Sequence, residues 1–210
     1  MAMEEMTIEK FIEELSGAAP VPGGGGASAL VAAVGMSLGN MVLSLTTGKK
    51  KYAQYQEEIE RSMEKAGELT ARLKAGMDKD AEAFEPLSKA YGLPKDTPEE
   101  EAYRTQVMEK ALKDAAGAPL ELMECILEAV KLVERIAEIG SKIAISDAGV
   151  AAALCKAAMN GASLNVYINT KLMKDRECAE QFNRRAQELV REAERSADAT
   201  FELVASQLRN

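Results

Sequence analysis

Apolar residues recur along this chain at three- and four-residue steps, the period of a helix face, with no sustained two-residue alternation. Ile8, Phe11, Ile12 and Leu15 form a first short face between Thr7, a candidate N-cap, and Gly17, a stop. A loop Ala18 to Gly26 follows, then a run from Ala27 to Thr47 whose apolar character predicts a helix buried on more than one side. Gly48 suits its C-terminal end, where left-handed geometry is needed, and Lys49, Lys50 and Lys51 oppose its dipole. The stripe Tyr52, Tyr55, Ile59, Met63, Ala66, Thr70, Leu73, Met77, Asp80, Phe84, Leu87 and Tyr91 predicts one long helix with a carboxylate in register with its apolar face. After a loop Gly92 to Asp96, Thr97, Pro98 and Glu100 supply an N-cap, a first-turn proline and a capping-box glutamate. That helix is expected to run to about Ala116, to be interrupted and kinked at Pro119, and to resume from Leu120 to Ile139 before Gly140. Ser146 is read as the cap of an Ala- and Gly-rich helix from Asp147 to Lys174, and a last helix with a charged outer face covers about Glu177 to Leu208.

These elements imply an all-α fold, a single-domain helical bundle with buried Ala/Gly-rich helices. Composition supports this: 47% of the residues are hydrophobic, only 4% aromatic and none is Trp, so helices can approach through small side chains. A length of 210 residues suffices for one substantial core. The net charge of −8 is spread along the helices, which disfavours nucleic acid and anionic membrane as partners. The run Ala27 to Thr47 approaches the length of a membrane span, but Ser28, Ser37, Asn40 and Ser44 favour a buried helix of a soluble protein. Glu4 and Glu5 stand where an export signal needs a basic stretch, so a cytoplasmic location is expected. Cys125, Cys155 and Cys178, far apart and odd in number, read as reduced thiols.

The chain has no histidine, which removes Ser-His-Asp and Cys-His catalysis and leaves proton transfer to Asp, Glu, Lys, Tyr, Cys or bound water. No metal site is expected, since neither ligand spacing nor a compact carboxylate cluster offers one. Three constellations remain. Gly23, Gly24, Gly25 and Gly26, followed by Ser28, enter an apolar helix directly, so backbone N–H groups at its N-terminus can meet an anion or a polar carbonyl, with the Ser28 hydroxyl as a further donor. Gly24-x-Gly26-x-x-Ala29 also echoes a dinucleotide fingerprint, but two prolines occupy the place of the required strand. Asp80 lies between Met77 and Phe84 on the stripe, aimed at the core or a cleft, where it serves as an internal ion-pair partner or as an acid/base. Asp78, one step off the stripe, reads as solvated or supporting. Asn165 and Asn169 share a face at i, i+4 and can orient a heterocycle, while Asp147 is either a first-turn stabiliser or a second proton carrier.

Taken in order, Pro20 to Ser28, Leu45 to Tyr52, Asp78 to Phe84, Leu93 to Pro98, Ser146 to Gly149 and Asn165 to Asn169 resemble the motif series of the formiminotetrahydrofolate cyclodeaminase and methenyltetrahydrofolate cyclohydrolase family across nearly the whole chain. The resemblance implies an all-α fold, a homodimer or larger assembly, and tetrahydrofolate derivatives as substrates, with polyglutamylated forms among them and no metal or redox cofactor. It also implies a site that stabilises the methenyl cation and moves protons at nitrogen or oxygen. On this reading Asp80 or Asp147 faces the cation, Asn165 and Asn169 orient the folate, Gly23 to Gly26 and Ser28 contact a polar edge, and Lys50 or Lys51 attracts the glutamate tail. Cyclohydrolase is the first reading and cyclodeaminase the second. A noncatalytic folate-binding or scaffold oligomer is the reading from another class.

Overall fold

The computed structural model describes residues 2–209. Its main elements are α1 (Ile8–Leu15), α2 (Gly24–Ser44), α3 (Gln56–Tyr91), α4 (Pro98–Ile139), α5 (Ile145–Thr170) and α6 (Arg176–Arg209), joined by short 3-10 turns at Met3–Glu5, Lys50–Tyr55 and Lys142–Ala144. No strand occurs among the described residues.

The predicted start signals operate as written. Thr7 Oγ1 accepts from the Lys10 N–H at 3.1 Å, and Thr97 and Glu100 close a reciprocal capping box at the head of α4. Gly48 takes the left-handed conformation at φ 73°. Four boundaries differ from the pattern. α2 begins at Gly24, because the first turn needs no intrahelical N–H partner and glycine is tolerated where packing demands it. The 3-10 turn Lys50–Tyr55 takes Tyr52 and Tyr55 out of the long helix. Ser146 lies inside α5, whose N-cap is Ala144 with no side-chain cap, and α5 ends at Thr170, whose carbonyl the Arg176 guanidinium engages at 3.0 Å. α4 runs unbroken through Pro119.

α2 and α5 form the centre. α5 packs against α2, α4 and α6, and α2 packs also against α3 and α4. They run antiparallel, since Gly24 faces Asn165, Ser28 faces Gly161 and Gly35 faces Cys155. At Gly35 the helices touch so closely that a methyl group would stand 2.8 Å from Cys155 Sγ and 3.1 Å from the Ala151 carbonyl. Small residues at this crossing are what allow the close approach. The main core, including Met36, Leu43, Leu73, Ile126, Ile136 and Met159, lies along this pair. A smaller cluster of Leu87, Ala111, Leu112, Ala115, Ala116, Met173 and Ala179 fills one end, with Phe84 packed on it.

Two stretches, Gly24–Ser44 and Lys142–Thr170, are long and apolar enough to cross a membrane, and about half of each is buried inside the bundle. Their outer sides keep Val34, Met41, Val150, Leu164 and Ile168 exposed, and α1 exposes Ile8 and Ile12 beside them while burying Phe11.

Candidate active site

The glycine run is the first turn of α2, and what it faces is Asp80 of α3. A β-carbon on Gly25 would lie within 2.4 Å of all three atoms of the Asp80 carboxyl, so the carboxyl sits directly against the Gly25 backbone. The Gly26 N–H donates to it. The anion site expected at this helix terminus is therefore occupied by the protein's own side chain. Burial pushes the Asp80 carboxyl above its ordinary value, and the Gly26 hydrogen bond only partly opposes this. A half-buried carboxylate with no cation beside it and a raised affinity for protons is suited to taking and returning one.

Across from it stands the C-terminal part of α5. Asn165 Nδ2 donates to the Gly161 carbonyl at 3.0 Å. Asn169 Nδ2 donates to two carbonyls, Asn165 and Ala115, each at 2.8 Å. With the amide nitrogens held on backbone carbonyls, each residue keeps its Oδ1 as an unspent acceptor. A cleft of about 160 Å³ opens between these groups, lined by Pro20, Val21, Gly23, Gly24, Asp80, Phe84, Ala115, Asn165, Ile168 and Asn169. One side is apolar, with Phe84 and Ile168. The polar side offers oxygen acceptors: a carboxylate and two amide oxygens. Such a lining complements a flat, cationic or N–H-bearing ligand.

Gly23, Gly24, Asp80, Asn165 and Asn169 are thus brought together, and Gly25 and Gly26 lie directly behind Asp80. The remaining residues of the sequence reading fall elsewhere. Ser28 is buried against Gly161 and spends its hydroxyl on the Gly24 carbonyl at 2.7 Å. Lys50 and Lys51 lie beyond the far end of α2, about 30 Å from Gly24 at the rise of a helix. Asp147 is in the first turn of α5, roughly 27 Å along the axis from Asn165. Asp78 accepts from the Met3 N–H at 2.9 Å and so ties down the N-terminal turn. The apolar wall of Pro20, Val21, Phe84 and Ile168 was not singled out by sequence, since apolar positions on helix faces read as core. Among the described residues no group of three His, Cys, Asp or Glu side chains converges.

The sequence pattern of the formiminotransferase-cyclodeaminase family matches residues 7–188. The chain belongs to this family. Within it, the chain is 41% identical to a methenyltetrahydrofolate cyclohydrolase of Methylorubrum extorquens, over 96% of this chain and 97% of that one. It is 32% identical to the formimidoyltransferase-cyclodeaminase of Rattus norvegicus, over 92% of this chain but only 36% of the rat protein, so it spans about a third of that bifunctional relative. The crystal structure of a formiminotetrahydrofolate cyclodeaminase from Thermotoga maritima superposes with a TM-score of 0.81 at 31% identity, covering 98% of this chain and 97% of that one. The family's all-α fold is therefore the fold of this chain along nearly its whole length.

Proposed function

We propose that this chain is a folate one-carbon enzyme that hydrolyses 5,10-methenyltetrahydrofolate to 10-formyltetrahydrofolate. The observation that carries the reading is the acceptor-only polar lining around Asp80, set against an aromatic wall, in a chain with full-length similarity to a cyclohydrolase. The methenyl carbon lies between two folate nitrogens that share a positive charge, and carboxylate and amide oxygens stabilise that charge. Phe84 and Ile168 provide a surface on which the flat rings can lie.

In this mechanism Asp80 accepts a proton from a water as its oxygen bonds to the methenyl carbon, giving a neutral hydroxy adduct. The hydroxyl then loses its proton as the carbonyl forms, the bond from carbon to N5 breaks, and N5 receives a proton from Asp80. One proton is released to solvent over the cycle. This route needs no metal or redox group. Asn165 and Asn169 hold the ring nitrogens so that the carbon faces the carboxylate. Asp147, the other proton carrier of the sequence reading, reaches this cleft only if a second copy supplies it.

The exposed apolar residues on α1, α2 and α5 support assembly as a homodimer, since an unpaired face of this kind on a bundle is suited to self-association. The unpaired thiols agree with a reducing, cytoplasmic setting. Polyglutamylated folates fall within the substrate class. The deciding experiment follows methenyltetrahydrofolate absorbance with purified protein. Enzyme-dependent loss is the expected result. Formation of the chromophore from 5-formiminotetrahydrofolate with release of ammonia, and no hydrolysis, would replace the reading with cyclodeaminase.

A further inference from the structure

Pro119 stands in the interior of α4, buried, twenty-one residues after the helix begins at Pro98. A residue with an N–H at this position would donate to the carbonyl four residues earlier, that of Ala115, and proline cannot. The Ala115 carbonyl is not left unpaired: Asn169 Nδ2 of α5 donates to it at 2.8 Å. The same Nδ2 gives its other proton to the Asn165 carbonyl at 2.8 Å. Both protons of one amide are thus consumed by fixed backbone acceptors, which sets the plane of the Asn169 side chain and leaves Oδ1 as its remaining polar atom. Ala115 and Asn169 both line the Asp80 cleft.

We propose that Pro119 is a positioning residue: by withholding an N–H it frees the Ala115 carbonyl to hold Asn169 in the orientation the cleft requires. A buried proline inside a helix is unfavourable for the helix itself, and here the vacated carbonyl is used by a residue of the site. Pro86, the other proline inside a helix, makes the contrast. It is exposed on α3, and its vacated partner would be the carbonyl of Glu82, also exposed, where no side chain of the described residues docks. One proline opens onto the cleft and the other onto the surface.

The proposal rests on the folate reading for its activity arm, and a second arm does not. In Pro119→Ala the restored N–H competes for the Ala115 carbonyl. The expected results are a higher thermal midpoint, a kcat/KM lower by about ten- to a hundredfold, and loss of protection of the Asn169 side-chain amide protons from solvent exchange by NMR. The NMR readout needs no substrate, so if wild-type protein turns over no folate at all, the folate reading fails while the positioning claim is still decided. In an Asn169→Ala background, adding Pro119→Ala should change kcat/KM by less than about twofold, because the proline acts only through that amide. Unchanged amide protection, or an equal loss of activity in both backgrounds, would overturn the proposal. Pro119→Val restores the N–H while keeping apolar volume. If neither variant folds, the ring serves packing and the proposal also falls.

Discussion

The two ends of the α2–α5 pair carry similar side chains and use them in opposite ways. At the Lys49 end every hydroxyl is spent on the protein: Thr46 donates to the Val42 carbonyl at 2.6 Å and accepts from the Ser141 N–H at 2.8 Å, and the Tyr52 hydroxyl accepts from the Lys142 N–H at 3.1 Å. Gln56 closes the turn by accepting from the Gly48 N–H and donating to Thr47. At the Gly24 end the donors are spent and the acceptors are not. Asp80 receives only the Gly26 N–H, and Asn165 and Asn169 keep their oxygens. A polar cluster that satisfies itself locks a corner, whereas one that leaves acceptors of a single kind facing a cleft is prepared for a ligand.

The strongest way to break this contrast is Asp80→Asn. It keeps shape and removes the proton acceptor, so kcat should fall by about 10²–10⁴-fold while folate binding persists. Stability should move the other way. The folded protein holds the Asp80 proton more tightly than the unfolded chain does, so the stability this carboxyl contributes is fully present below the unfolded carboxylate range, near 3.9, and is lost as pH rises through the raised folded value. The neutral Asn variant should therefore unfold at a higher temperature than wild type at pH 7, with the difference closing as the pH is lowered. The wild-type rate should show an acid limb above the ordinary carboxylate range, and the variant should lack it. A variant of full activity, or one less stable than wild type at neutral pH, would return Asp80 to a structural role.

Gly25→Ala tests the same carboxylate from the other side. The added methyl would fall within 2.4 Å of the carboxyl, so Asp80 must swing away from the Gly26 N–H. Activity should drop by about ten- to a hundredfold, as expected for a displaced reacting group. Stability should change little, because alanine is the better helix former and offsets the crowding. Rate and thermal melts on one preparation check both.

Sequence made the frame legible where local chemistry decides it. The capping boxes, the left-handed glycine and the stripe of α3 depend on residues a few positions apart, and Asp80 announced itself by breaking an apolar register. The cleft was half legible. Its polar members are conspicuous among apolar neighbours, but Phe84 and Ile168 look like core until the packing shows a gap beside them. Lys50, Lys51 and Asp147 were grouped with the site because motif order carries no distance, and only the antiparallel run of α2 and α5 places them a helix length away. Pro119 was read as a break because the rule for proline concerns one helix, whereas the partner for its vacated carbonyl comes from another.

Between the two ends lies a contact that should matter for folding alone. Gly35→Ala drives a methyl against Cys155 Sγ and the Ala151 carbonyl, and overpacking at such a crossing costs about 1–3 kcal/mol. Chemical denaturation should show that loss, with kcat per folded molecule unchanged. A drop in kcat without loss of stability would mean that the α2–α5 spacing is transmitted to the cleft.

The smallest effect is expected at the far end. Lys50 and Lys51 are exposed, and about 30 Å of helix separates them from the cleft of their own chain. Replacing both with Ala should change stability by less than about 0.5 kcal/mol, as is usual for surface positions free of special contacts. For a monoglutamate substrate, kcat/KM should stay within about twofold of wild type, because an exposed charge so far beyond the Debye length of roughly 10 Å is screened. The informative substrate is a polyglutamylated one. If KM for that substrate rises several-fold in the double variant while the monoglutamate is unaffected, the basic end of a second copy lies beside the acceptor cleft of the first, and the two ends compared here belong to one binding surface across a dimer.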